Sequence, residues 1–427
     1  MALCVVLEGR SVWLYLQDTG GYYRAALKIC IAVTTICMCG IGLRISEKRI
    51  KEGSLCILIF SAYVGIYGLI SDSRISTVTW WVLCVDAIIF ELYIIEDRLQ
   101  RRDIPIILEF YTNIITVIAL VSVFFWLMGD LLNLIKVTST HYYTWANRDE
   151  GTKINSYLGL YYSVGAQRAL GLTISRNGAI FTEAPMAALH FTLSFLVEIY
   201  LKRKKSLIKA IVLVIAIMST LSSAAIIVVM IAIICKTLLK RNKRVLSNLV
   251  RMMAICFLIV VGYEAMTKII ELKLQQQSWQ VRLNDYEVGL EVWMRNVLLG
   301  CGFQNDKALR DAMPSWRSFN NGYSNSIMQL LAQGGVYLAF PYLVCVAQGV
   351  RHSISNREWG KCVFIVCFLA LFTTSIFTYN YFSVMFLLTI MCFENMNEKG
   401  VCVQEHGILH PFPISKNRIM TNGGHER

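Results

Sequence analysis

Long apolar stretches separated by short polar connections run through most of the chain. A helix needs roughly 20 apolar residues to cross the hydrocarbon core of a bilayer. Eleven stretches approach that length: Ala25–Leu43, Gly53–Ile70, Thr77–Ile95, Thr112–Leu132, Thr182–Leu201, Leu207–Thr220, Ser222–Leu239, Met252–Met266, Ile327–Val350, Cys362–Thr378 and Tyr381–Phe393. The pattern predicts an all-α polytopic membrane protein with eleven or twelve transmembrane helices. The twelfth depends on the N-terminal segment: either Met1–Tyr23 begins outside the membrane, or Met1–Leu16 is a short or re-entrant helix.

The order of spans and polar segments predicts six parts of the chain. These are N-terminal transmembrane helices (1–132), a first long loop (133–181), central transmembrane helices (182–266), a second long loop (267–326), C-terminal transmembrane helices (327–395) and a cytoplasmic tail (396–427).

Charge predicts which side each connection faces. Short basic connections alternate with nearly uncharged ones; the basic ones are Arg44–Lys51, Glu96–Asp103, Lys202–Ser206, Lys240–Arg251 and Arg351–Lys361. With eleven spans these five and the C-terminal tail fall on one side, which the positive-inside rule assigns to the cytoplasm. Both long loops then face outward.

Composition supports a membrane protein. Only 16% of the residues are charged and 56% are hydrophobic, whereas a soluble domain carries about 25% charged residues. The net charge of +13 resides mainly in the short connections, so it records orientation and does not indicate a nucleic-acid partner. Most of the 14 cysteines lie in apolar stretches, without zinc or disulfide spacing. We expect no metal and no cofactor.

The two long loops are rich in tyrosine and tryptophan, which is unusual for disordered connections. Loops of this length are usually functional or disordered. We therefore expect folded loops with a binding role, built either from helices lying at the membrane interface or from aromatic faces that stack on sugars. A plain connection is the alternative.

Motifs in and beside these loops carry a family resemblance. Arg176–Pro185 contains Arg, Gly, Phe, Glu and Pro in order, Ser219–Ser223 is a Ser/Thr-rich helix start, and the second loop holds Arg282. The same loop continues with Leu299-Gly-Cys-Gly-Phe303, a Ser324-Asn325 pair and a glycine-bearing helix. In this order the motifs resemble the O-antigen ligase and Wzy-type polysaccharide polymerase family.

The resemblance implies a metal-independent membrane glycosyltransferase with a GT-C-like architecture in the bacterial inner membrane. Its substrate would be an undecaprenyl-diphosphate-linked glycan, polymerised at the outer face into capsule, O-antigen or exopolysaccharide. Family analogy adds a chain-length regulator and a flippase as partners.

Arginine suits a reaction in which a diphosphate leaves, because guanidinium stays charged and binds phosphate oxygens in pairs. Arg176 and Arg282, one from each long loop, are the predicted catalytic cations. Each can instead pair with a nearby acid or a lipid headgroup. We rank Arg295, Arg310 and Arg317 below them.

The acceptor hydroxyl needs a general base, and the predicted candidates are Glu183 and Asp285. Glu183 can instead cap the fifth span, and Asp285 can instead pair with Arg282. Ligases of the family have a histidine where this chain has Ser324, which favours a polymerase over a ligase. His190 is expected to be a packed core residue.

The predicted substrate-binding residues are Tyr323, Ser324, Asn325 and Asn284. Asn325 can also cap the helix that follows it. Gly300 and Gly302 are expected to provide backbone freedom rather than a phosphate contact.

A lipid-linked oligosaccharide flippase or another transporter is the rival from a different class. It would use ionisable groups inside the membrane, for which Asp86, Glu91 and Glu109 are candidates. The chain shows no convincing internal repeat, and its best motifs lie at the rim of the membrane.

Overall fold

The computed structural model describes seven parts of the chain: residues 1–42, 47–92, 104–144, 152–169, 172–239, 277–319 and 322–393. Within them the helices are α1 (Ala2–Glu8), α2 (Gly20–Gly42), α3 (Glu47–Ile70), α4 (Ile75–Phe90), α5 (Ile106–Phe125), α6 (Ala184–Leu196), α7 (Leu207–Ser219), α8 (Ser223–Leu239), α9 (Gln277–Arg295), α10 (Asp306–Asp311), α11 (Ser326–Ser355), α12 (Trp359–Thr374) and α13 (Tyr381–Met391). π-Helical turns extend α5 through Leu131 and α6 through Leu201. The predicted span Met252–Met266 and the tail lie outside the described residues.

Among the described residues, four helices are long and apolar enough to cross a membrane: Ile50–Ile70, Ile106–Leu131, Ala184–Leu201 and Ser326–Ser355. Five shorter apolar helices accompany them, namely α4, α7, α8, α12 and α13. The mostly helical, multi-pass membrane fold expected from the sequence is confirmed.

Helix α6 forms the centre of the bundle. Nearly all of its side chains are buried, and it packs against α5, α7 and α8. His190 is fully buried and stacks on Phe181 with ring centroids 4.3 Å apart. Its Nε2–H donates to the Gly9 carbonyl at 3.2 Å, so its Nδ1 accepts from the Tyr111 hydroxyl at 2.7 Å. It is the packed core residue that the sequence favoured.

The first long loop contains a β-sheet, where the sequence suggested interfacial helices. Four antiparallel strands follow one another in order: β1 (Ser139–Tyr143), β2 (Thr152–Tyr157), β3 (Tyr161–Ala169) and β4 (Leu172–Asn177). Positive φ angles at Leu158 and Gly159 form the tight turn between β2 and β3, as hairpins with right-handed twist require. The tyrosines of this loop therefore lie mainly in strands.

The N-terminal segment does not form a spanning helix. The seven residues of α1 cover about 10 Å, which is too short to cross a bilayer. Ser11 instead forms a β-bridge with Phe181 at the end of the first loop, and Leu16 forms one with Tyr143 of β1. The segment therefore joins that loop at one end of α6.

The second loop is held by a glycine turn. Gly300 and Gly302 have φ angles of 67° and 106°, and Gly335 interrupts α11 with a φ of 60°. Backbone N–H groups of Cys301 and Gly302 donate to carbonyl groups of α11 at 2.8 and 3.1 Å. A side chain at Gly335 would collide with the backbone of Leu298. The glycines thus allow backbones to touch.

Candidate active site

A cavity of about 450 Å³ opens where the N-terminal segment, α6, α9 and α10 meet. It is lined by Arg10, Tyr15, Thr144, Glu183, Pro185, Met186, Val281, Arg282, Asp306, Leu309, Arg310, Met313, Gly322, Tyr323, Ser324, Gln329, Thr374, Ser375 and Ile376. Four of the predicted site residues are in this set: Glu183, Arg282, Tyr323 and Ser324. Residues more than 300 positions apart in the chain share the cavity.

The cavity carries several cations. Arg10, Arg282 and Arg310 all line it. Arg176 lies close enough to Glu183 and Arg282 for their charges to affect its pKa, which burial lowers. Its Nε donates to the carbonyl oxygen of Thr220 at 2.9 Å. That bond ties Arg176 to the Ser/Thr-rich segment between α7 and α8.

Glu183 occupies the N-cap position of α6, but its carboxylate makes no capping hydrogen bond. The side chain is half-buried and lines the cavity. Burial raises the pKa of Glu183, while the nearby charges of Arg10, Arg176 and Arg282 act in the opposite direction. A carboxylate that faces the cavity without a capping hydrogen bond can act as a general base.

Asp285 is completely buried beneath the cavity and anchors the second loop. Its carboxylate accepts from Arg317 Nη1 at 2.7 Å and from the backbone N–H and hydroxyl of Ser324 at 2.9 and 2.5 Å. Arg317, which is also completely buried, is its ion-pair partner, whereas the sequence suggested Arg282. A carboxylate with these partners fits a structural role better than a base.

The remaining predicted binding residues form the wall around this ion pair. The Tyr323 hydroxyl donates to the backbone carbonyl of Asp285, and Asn284 accepts from Arg317 at 3.2 Å. Asn325 is 2% exposed and its side chain accepts from the N–H of Met328 at 3.1 Å. Its geometry is that of the N-cap of α11, one of its two predicted roles.

Sequence reasoning missed Arg10 and Tyr15, which reach the cavity through the β-bridges of the N-terminal segment. Asp306 and Gln329 were also missed. Asp306 accepts a hydrogen bond from Gln333 at 2.8 Å. The one local signal for this residue was Asn305, the N-cap of the helix that begins at Asp306. Contacts between distant segments leave no local pattern.

A cluster of hydrogen bonds around Asp130 holds the residue that precedes Arg176. Asp130, in the π-helical end of α5, accepts from the hydroxyls of Ser175 at 2.6 Å, Tyr161 at 2.7 Å and Tyr157 at 3.0 Å. Trp126 donates to the Ser175 carbonyl at 2.8 Å. The residue preceding Arg176 is therefore fixed by side chain and backbone.

The acids inside the bundle lie apart from the cavity. Asp86 accepts from Ser61 at 2.7 Å within the α3–α4 pair. None of Asp86, Glu91 and Glu109 lines the cavity described above.

The apolar helices show that the chain is a multi-pass protein of the bacterial inner membrane. Residues 208–343 match a family described as O-antigen ligase. The resemblance seen in the chain's motifs is thus confirmed for this segment. Proteins of this kind are membrane glycan ligases and polymerases that act on lipid-linked glycans.

The matched segment runs from the start of α7 to the middle of α11 and includes Arg282, Asp285 and Ser324. Arg176 and Glu183 precede it. No curated protein matches the chain.

Proposed function

We propose that the protein is a glycan polymerase that joins polyprenyl-diphosphate-linked repeat units at the outer face of the inner membrane. The observation that carries the proposal is a cavity that is lined by Arg10, Arg282 and Arg310 together with Glu183, whose carboxylate makes no capping hydrogen bond. Cations and one base at a membrane rim are what transfer from a lipid diphosphate requires.

The reaction proceeds by direct displacement. An acceptor hydroxyl oxygen forms a bond to the anomeric carbon of the donor glycan, and the bond from that carbon to the diphosphate oxygen breaks. Glu183 takes the hydroxyl proton, and the polyprenyl diphosphate leaves with the bonding electron pair. Arg282, with Arg176 beside it, offsets the negative charge that grows on the leaving diphosphate.

Other residues place these groups. Asp285 and Arg317 hold the wall that carries Ser324 and Tyr323. Ser324 and Tyr323 also line the cavity, where sugar hydroxyls of either glycan would lie. Asp285 is thus assigned to positioning, and Glu183 is the base.

The ligase alternative differs in its acceptor. Ser324 stands where the family's ligases have histidine, and its hydroxyl is already used as a donor to Asp285. Serine lacks the basic nitrogen with which histidine could take a proton from an acceptor hydroxyl, so this position favours the polymerase. Undecaprenyl as the carrier, capsule or O-antigen as the product, and a flippase and chain-length regulator as partners belong to the proposal.

Reconstitution in proteoliposomes with a polyprenyl-diphosphate-linked repeat unit tests the proposal. We expect a ladder of longer glycans from the wild type, and single repeats only from Arg176→Ala and Arg282→Ala. Arg295→Ala is the matched control, because Arg295 is exposed on the same helix as Arg282 and pairs with Glu291. Transfer to another acceptor, translocation without transfer, or normal ladders from both arginine variants would contradict the proposal.

A further inference from the structure

A second cavity, of about 440 Å³, lies at the opposite end of α6. Its charged lining comes from the α6–α7 connection and the α11–α12 connection: Lys202, Arg203, Lys205, Arg357, Glu358 and Lys361. Helix α6 with its π-turn spans 18 residues between the two cavities, or about 27 Å at the α-helical rise. By the charge pattern of the sequence this end faces the cytoplasm.

Five cations and a single acid line this second cavity. Lys202 pairs with Glu198 at 2.7 Å, and Lys361 pairs with Glu358 at 2.8 Å. Lys205 and Arg357 have no acidic partner among the described residues. Positive charge therefore remains at the cavity after internal pairing.

A sixth cation adds to this charge. Lys236 of α8 lies beside Lys205, with its ammonium 5.2 Å from the centre of the Tyr200 ring that lines the cavity. Like charges brought together repel one another, and an anion bound between them would offset that repulsion.

Orientation in the membrane does not account for the arrangement. The positive-inside rule counts cations in a connection and places no demand on where their side chains meet. Lys204 illustrates the difference, because it belongs to the same basic run but does not line the cavity. Lys205 from one connection and Arg357 from the other both line the cavity.

We propose that this cavity binds a phosphate group, supplied by the headgroup of an anionic phospholipid in the adjacent leaflet or by a free phosphate. Arginine and lysine are the side chains that recognise phosphate oxygens. Basic residues between membrane helices on the cytoplasmic side bind anionic headgroups in this way. The proposal is independent of the glycosyl transfer at the other end of α6.

The test compares lipid binding by native mass spectrometry of the full-length protein in detergent. Phosphatidylglycerol is titrated into the wild type, the double variant Lys205→Ala/Arg357→Asn and the matched control Lys204→Ala. Asparagine is used at position 357 because the backbone there has a φ of 56°, which asparagine tolerates. Phosphatidylcholine and inorganic phosphate, each as competitor, form the other arms.

We expect each cation to contribute about fivefold, so the double variant should bind phosphatidylglycerol about 25-fold more weakly, with no change in the control. Competition by inorganic phosphate would identify the phosphate group itself as the ligand, and its absence would assign the lipid headgroup. Equal losses in the double variant and the Lys204 control would overturn the proposal. So would unchanged binding in the double variant, or equal binding of phosphatidylcholine. Circular dichroism of both variants checks that these exposed substitutions leave the fold intact.

Discussion

Replacing Arg317 with alanine tests how the wall of the first cavity is held. The Arg317 and Asp285 side chains are both completely buried and meet at 2.7 Å. Arg317 Nη2 also donates to the Gly322 carbonyl at 2.6 Å. One guanidinium thus joins α9 to the segment that carries Tyr323 and Ser324.

The expected cost follows from burial. Removing one member of a buried ion pair leaves an uncompensated charge and costs about 3–5 kcal/mol. The loss should appear as local opening of α9 and residues 322–324, with amide exchange more than about a hundredfold faster. The control is Glu291→Ala, which removes a 2.6 Å pair on the same helix whose members are 60% and 58% exposed. Such exposed pairs contribute less than about 1 kcal/mol.

Hydrogen–deuterium exchange with mass spectrometry in nanodiscs measures both variants. Exchange in Arg317→Ala no faster than in Glu291→Ala would refute the assignment of the pair as an anchor. Asp285→Asn gives an independent check, because an anchor should lose exchange protection together with activity and keep the pH profile. Loss of activity with unchanged protection would return Asp285 to the role of base.

Three further predictions follow from the site. Glu183→Gln should lower the transfer rate by about 10²–10⁴-fold and remove the acid limb of the pH–rate profile; a retained acid limb would exclude Glu183 as the base. Because burial raises the Glu183 pKa, the folded protein loses stability as pH rises from the ordinary carboxyl pKa to the raised one. The glutamine variant should therefore melt no lower than the wild type above that range. Asp130→Asn should lower the transfer rate and speed amide exchange at Ser175 and Arg176, because hydrogen bonds to charged groups contribute about 1.5–3 kcal/mol. Tyr157→Phe removes only one of these bonds and should have a smaller effect. Equal effects of the two substitutions would contradict a positioning role for Asp130. Finally, a membrane-impermeant maleimide applied to spheroplasts should label Leu283→Cys without permeabilisation and Lys204→Cys only after it. The reverse pattern would invert the topology and remove the lipid-diphosphate assignment.

The length of the apolar stretches predicted the helices well. The predicted spans Leu207–Thr220 and Ser222–Leu239 differ by one residue each from α7 and α8. Apolar length fixes such helices because every backbone polar group must be satisfied within the membrane. All four strands of the first loop were missed, although the tight Leu-Gly turn between β2 and β3 was visible in the sequence.

The candidate site could be predicted only in part. Glu183 and Arg282 stand in motifs, and both line the cavity. Arg10 reaches it because the Ser11–Phe181 bridge folds the N-terminus back, and no local signal encodes that contact. The choice of Arg317 over Arg282 as the partner of Asp285 likewise depends on how the second loop closes over 32 residues.

Whether Arg282 binds the leaving diphosphate can be measured as the affinity of the purified protein for undecaprenyl diphosphate without any glycan attached. If Arg282 grips the leaving diphosphate, Arg282→Ala should bind this lipid about 10–100-fold more weakly than the wild type and than Arg295→Ala. Equal affinities in all three proteins would contradict the account.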